Sequence, residues 1–70
     1  MAKGTIQYIV SDKPQMAVVN TSDDGQSQPV LLENNTKTTW VVGQYYEIYA
    51  DAYGTYNSMP WLQARYTYAK

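Results

Sequence analysis

No stretch of this chain carries a sustained 3.6-residue apolar period; the signal that recurs is the two-residue alternation of a strand. It is clearest in residues 44–53. There Tyr46, Ile48, Ala50 and Ala52 point one way, and Tyr45, Glu47, Tyr49, Asp51 and Tyr53 the other. Residues 61–68 repeat it, with Leu62, Ala64, Tyr66 and Tyr68 on one face and Trp61, Gln63, Arg65 and Thr67 on the other. Residues 54–60 between them have turn chemistry and read as a loop. Three shorter runs rich in strand formers precede these, at residues 5–10, 16–20 and 29–33. In the first, Ile6, Tyr8 and Val10 share a face. Turns are expected at Lys13-Pro14, at Asp23-Asp24-Gly25 and at Asn34-Asn35-Thr36-Lys37. Residues 38–42 are β-branched apart from Trp40 and read as a short strand paired back on residues 29–33. Gly43 breaks or bulges the chain before the next strand.

Five or six short strands within 70 residues make an all-β chain. An open sheet this small would leave two long edges unpaired, so a small closed barrel over residues 1–70, as one domain, is the economical solution. For a chain of this size, apolar burial and the conformational entropy of ordering each come to about 105 kcal/mol. Such a domain folds with little stability to spare.

The composition excludes several chemistries. There is no cysteine and no histidine, so there is no disulfide, no thiolate or histidine metal site and no histidine-based triad. Glu47 and Asp51 lie four apart on one strand, about 13 Å, too far for a glycosidase carboxylate pair. Asp23-Asp24-Gly25 lacks the regular oxygen spacing of a calcium loop. Phosphate-cradling glycine patterns are absent. The expectation is no enzyme, no cofactor and no metal. A net charge of −1 and a pI near 4.9 argue against a protein held to nucleic acid by bulk electrostatics. No apolar run is long enough to span a membrane, and Met1-Ala2-Lys3-Gly4-Thr5 lacks the apolar core of a signal peptide. The expected setting is cytoplasmic.

Residues 40–51, with a valine-glycine pair before a long alternating strand, resemble the approach to strand four of an OB-fold domain. Residues 53–60 resemble the loop between its strands four and five, and residues 61–66 its strand five. The resemblance covers about residues 40–69. It implies binding of oligonucleotides, oligosaccharides or proteins on one sheet face. OB-folds commonly carry a helix between strands three and four, and residues 34–42 are poor helix material. Both a helix-less OB-like barrel and an SH3-like barrel therefore fit.

The candidate binding face follows from the alternation. Tyr45, Tyr49 and Tyr53 point away from the core with Trp61 and Arg65, and Tyr56 joins them from the loop. Antiparallel pairing would set Tyr53 opposite Trp61, Asp51 opposite Gln63, Tyr49 opposite Arg65 and Glu47 opposite Thr67. Tyr8, Tyr46, Tyr66 and Tyr68 are expected to face inward. The bland reading of the stripe is cross-strand packing; the functional one is a rigid aromatic platform. Glu47 and Asp51 on that face would repel phosphates, which favours a protein partner, as for a small modulator or inhibitor. Single-stranded nucleic acid is the alternative, and a homodimer burying the stripe on itself a third reading.

Overall fold

The computed structural model describes residues 2–23 and 26–69. They form five strands and no helix: β1 (Ala2–Asp12), β2 (Gln15–Asp23), β3 (Gln26–Asn34), β4 (Tyr45–Tyr56) and β5 (Met59–Ala69). The sheet closes in a ring in the order β1-β2-β3-β5-β4, with β4 returning to β1. Every neighbouring pair is antiparallel except β3 and β5. Closure removes the long edges that an open sheet of this size would expose. The fold is all-β and barrel-like, as the alternation requires.

Two hairpins are tight. Asp12 pairs with Gln15 around Lys13-Pro14, whose peptide bond is cis. Tyr56 pairs with Met59 around Asn57 and Ser58, both at positive φ (47° and 65°). Positive φ at both central positions marks the turn whose twist matches its flanking strands. The strands therefore run through residues 54–60 almost to the tip, and the seven-residue loop expected there is a two-residue turn. The turn expected at Asp23-Asp24-Gly25 falls on residues 24 and 25, outside the described residues.

The inward core gathers Ile6, Ala17, Val19, Val30, Leu32, Tyr46, Ile48 and Ala64, with Ile9, Ala50 and Leu62 packed against it. Gly4 belongs to the closest approach of β1 and β2. A Cβ there would stand 2.2 Å from the carbonyl oxygen of Asn20 and 2.8 Å from Cγ1 of Val19.

Residues 38–42 do not form a strand. The side-chain amide of Gln15 takes the place of a strand partner: its Oε1 accepts from the Trp40 backbone N–H at 2.9 Å and its Nε2 donates to the Trp40 carbonyl at 3.0 Å. Asn34 Nδ2 also donates to Gln15 Oε1, at 2.7 Å. Held this way, the Trp40 ring enters the core, 2% exposed, and its Nε1 donates to Thr67 Oγ1 at 3.0 Å. The chain then turns at Gly43, φ +88°, whose N–H donates to the Ile6 carbonyl at 2.9 Å. An Ala there would have to adopt a left-handed conformation that L-residues avoid.

The inward assignment of tyrosines holds for one residue of four. Tyr46 is buried, and its hydroxyl accepts from the Val41 N–H at 3.0 Å. Tyr8, Tyr66 and Tyr68 face out, as does Val10. The cause is bulging. Register shifts between Ile6 and Tyr8 and between Ile9 and Ser11 turn Tyr8 outward and leave Ile9 against the core. On β5, Ala64 pairs with Ala50 and Tyr66 with Tyr49, so Arg65 is an extra residue that flips the face of all that follows. Ala52, expected inward, is exposed, just before a second shift between Ala52 and Gly54.

Candidate functional site: the aromatic outer face

Bulging concentrates the tyrosines on the outside. Of the eight in the chain, only Tyr46 is buried; Tyr8, Tyr45, Tyr49, Tyr53, Tyr56, Tyr66 and Tyr68 are all exposed. Among the expected site residues, Tyr45, Tyr49, Tyr53, Tyr56 and Arg65 are exposed and Trp61 is half-buried. The structure divides this surface into two patches.

The first runs across the outer side of β4 and β5. Tyr49 pairs with Tyr66, and its ring meets that of Tyr68 edge to face, centroids 6.0 Å apart. Tyr45 lies further along β4. The expected facing of Tyr49 with Arg65 and of Glu47 with Thr67 is replaced: Glu47 pairs with Tyr68 and Ile48 with Thr67. Asp51 does pair with Gln63, as the alternation predicts. Freed from the regular row, Arg65 reaches sideways and its Nε forms an ion pair with Asp51 Oδ2. Lys3 Nζ lies 3.7 Å from Glu47 Oε2. At such exposure each pair contributes 0–1 kcal/mol, roughly, to stability. Their effect is to cancel the two carboxylates that the sequence places among the tyrosines.

The second patch crosses β1, β2, β3 and β5. Pairing sets Tyr8 beside Val18, Val18 beside Leu31 and Leu31 beside Trp61, all on the outer side of the ring. Val18 is 4% exposed and Leu31 0%, yet neither belongs to the inward core. They form a separate apolar layer on the outside. Trp61 covers it, and the rings of Tyr53 and Tyr56 pack on Trp61 at centroid distances of 4.8 and 6.2 Å. Tyr53 thus touches Trp61 although Gly54 is its register partner. The Trp61 indole Nε1 is, among the described residues, the one buried side-chain polar atom without a hydrogen bond. A groove of about 370 Å³ is lined by Tyr8 and Val18 of this patch together with Gln28, Pro29, Asn57, Ser58, Met59 and Pro60.

The alternation of β4 finds the first patch in part and misses Tyr66 and Tyr68. The second patch takes Trp61, Tyr53 and Tyr56 from the expected site, while its Tyr8, Val18 and Leu31 lie outside it. A signal for it was present: Ala17-Val18-Val19 and Val30-Leu31-Leu32 are apolar at three successive positions, so both faces of β2 and β3 need cover. Among the described residues no group of three or more metal-ligating side chains is found, and no helix is long and apolar enough to cross a membrane.

The chain matches no family model, no curated protein and no solved structure.

Proposed function

We propose that this chain is a non-enzymatic binding module that docks a protein partner, as a small modulator or inhibitor would, through its outer aromatic face. The observation that carries the reading is the placement of seven of eight tyrosines on the surface, with the carboxylates among them paired to Lys3 and Arg65. A rigid, charge-neutral aromatic surface suits a protein interface, where tyrosine, tryptophan and arginine dominate and unpaired charge is costly. The docking residues are Tyr45, Tyr49, Tyr53, Tyr56, Trp61 and Arg65, extended by Tyr66 and Tyr68. A cytoplasmic setting belongs to the same reading. So does an OB-like architecture: the spatial order β4-β1-β2-β3 is a Greek key closed by β5, which supports it.

The test is capture of a partner from the source cell, followed by reconstitution with the purified partner. Tyr49→Ala should weaken the reconstituted complex at least tenfold while changing stability by less than about 1 kcal/mol. A variant that binds as tightly as the parent overturns the reading.

Single-stranded nucleic acid is the second reading, and one observation favours it. A groove of about 410 Å³ between residues 35–38 and the end of β5 brings Lys37 and Arg65 together with Tyr66 and Tyr68. Cation plus stacking ring is the usual chemistry of such sites. Titration of labelled single-stranded oligonucleotides separates the two readings. Saturable binding that weakens as salt rises supports nucleic acid; no binding at tens of micromolar oligonucleotide in low salt removes it.

A further inference from the structure

Independently of the protein-docking reading, we infer that the groove where β3 and β5 part is a binding site for a short neutral oligosaccharide. The two strands pair from Leu31 and Trp61 onward, and no register pair precedes these among the described residues. The groove of about 370 Å³ is lined by residues just short of that point, Gln28 and Pro29 from β3 and Met59 and Pro60 from β5. Asn57 and Ser58 of the hairpin turn join them, with Tyr8 and Val18 from β1 and β2. The lining is fixed before any ligand arrives. β2 and β3 pair from Met16 to Asp23 without a register shift. Asn57 and Ser58 hold positive φ in a two-residue turn closed by the Tyr56–Met59 pair. A site held in shape by its scaffold loses little entropy on binding.

The lining chemistry selects the ligand. No charged side chain lines the groove among the described residues, so an ionic ligand would be desolvated without a counter-charge. The side-chain amides of Gln28 and Asn57 and the Ser58 hydroxyl are exposed and make no hydrogen bond to protein among the described residues. A purely apolar ligand would strip them of water and return nothing. A peptide adding as a strand would meet Pro29 on one side and Pro60 on the other, and neither brings an N–H. The ligand that meets all three conditions is uncharged, with an apolar face and a rim of hydroxyls. The ring hydrogens of a sugar form such a face, which suits the exposed Tyr8 ring and the two proline rings. Its hydroxyls donate and accept, as do the groups of Gln28, Asn57 and Ser58. The volume lies at the low end of the about 300–1,000 Å³ usual for small-ligand pockets, which keeps the oligosaccharide short.

The test is an NMR titration of the full-length ¹⁵N-labelled chain with maltotetraose, cellotetraose and mannotetraose, each to tens of millimolar. At least one should give saturable shifts in the side-chain amide resonances of Gln28 and Asn57 and in the backbone amide of Ser58. Tyr8→Ala should lower that affinity about tenfold, while Tyr8→Phe, which keeps the ring, should hold it within about twofold. Asn57→Gly deletes the amide and keeps a residue suited to positive φ; it should lower affinity about threefold. Tetragalacturonate, with a carboxylate on each ring, should bind about tenfold more weakly than the neutral sugar. Silence at Gln28, Asn57 and Ser58 with all three neutral sugars overturns the inference. So does a Tyr8→Ala variant that binds as tightly as the parent, or a preference for tetragalacturonate. Tyr49 lies outside the groove, so Tyr49→Ala should leave saccharide affinity unchanged. Failure at Tyr8 therefore sinks the saccharide site and leaves docking intact, and failure at Tyr49 does the reverse.

Discussion

Trp40 and Trp61 are the two tryptophans of the chain, and they show what the same side chain does on either side of one sheet. Trp40 sits in a connection without regular structure, yet it is almost wholly buried and fully bonded. Gln15 holds its backbone and Thr67 takes its indole N–H. Trp61 sits in a regular strand, yet it lies on the outside beneath two tyrosines with its N–H unpaired among the described residues. One is a structural plug whose polar groups are all spoken for. The other covers an outer apolar layer, and its buried N–H has no partner among the described residues. Burial by itself therefore does not distinguish the inward core from the outer apolar layer here; hydrogen-bond completeness separates the two tryptophans.

The sharpest way to break this contrast is truncation of the plug. Trp40→Ala should cost about 3–5 kcal/mol, seen as a collapse of the urea midpoint, because a large side chain leaves a closed core. A loss of less than about 1 kcal/mol would mean that residues 38–42 are not needed to seal the ring. Next in size is Thr67→Val, which makes the Trp40 N–H resemble that of Trp61. It should cost about 2 kcal/mol by denaturant unfolding, since it orphans a buried donor. Tyr46→Phe removes the acceptor of the Val41 N–H at the edge of the same plug; the expected loss is about 1 kcal/mol. The smallest effect belongs to Trp61→Phe. It deletes a donor that has no partner among the described residues, so stability should stay within about 0.5 kcal/mol of the parent. If Trp61→Phe destabilises as much as Thr67→Val, the two tryptophans do not differ in the way described.

Much of the fold was legible because strand formers and turn residues act locally. The alternation through β4, the Lys13-Pro14 turn and the pairing of Asp51 with Gln63 all follow from neighbours in sequence. Trp40 was not legible. Its flanking residues are as β-branched as any strand, and the group that keeps it out of one is the amide of Gln15, 25 positions away. Tyr66 and Tyr68 were misplaced for a related reason. Two-residue alternation counts correctly only until an extra residue enters, and Arg65 is that residue. Tyrosine itself gave no warning, since its ring suits a core and its hydroxyl suits water. Tyr46 shows the other half of that ambiguity: its buried hydroxyl is used, and a phenylalanine would leave the Val41 N–H without its partner.

The sequence by itself determined that the chain is built of strands, roughly where they begin, and that thiol and imidazole chemistry are unavailable to it. It also determined that the chain's aromatic side chains would be mostly tyrosine. Which side of the sheet each tyrosine faces was decided by the tertiary structure alone. Closing five strands into a ring forces bulges where the strands must curve, and each bulge inverts the inside and outside of everything beyond it. The position of a bulge depends on the partner strand across the sheet, and no run of neighbouring residues carries that information.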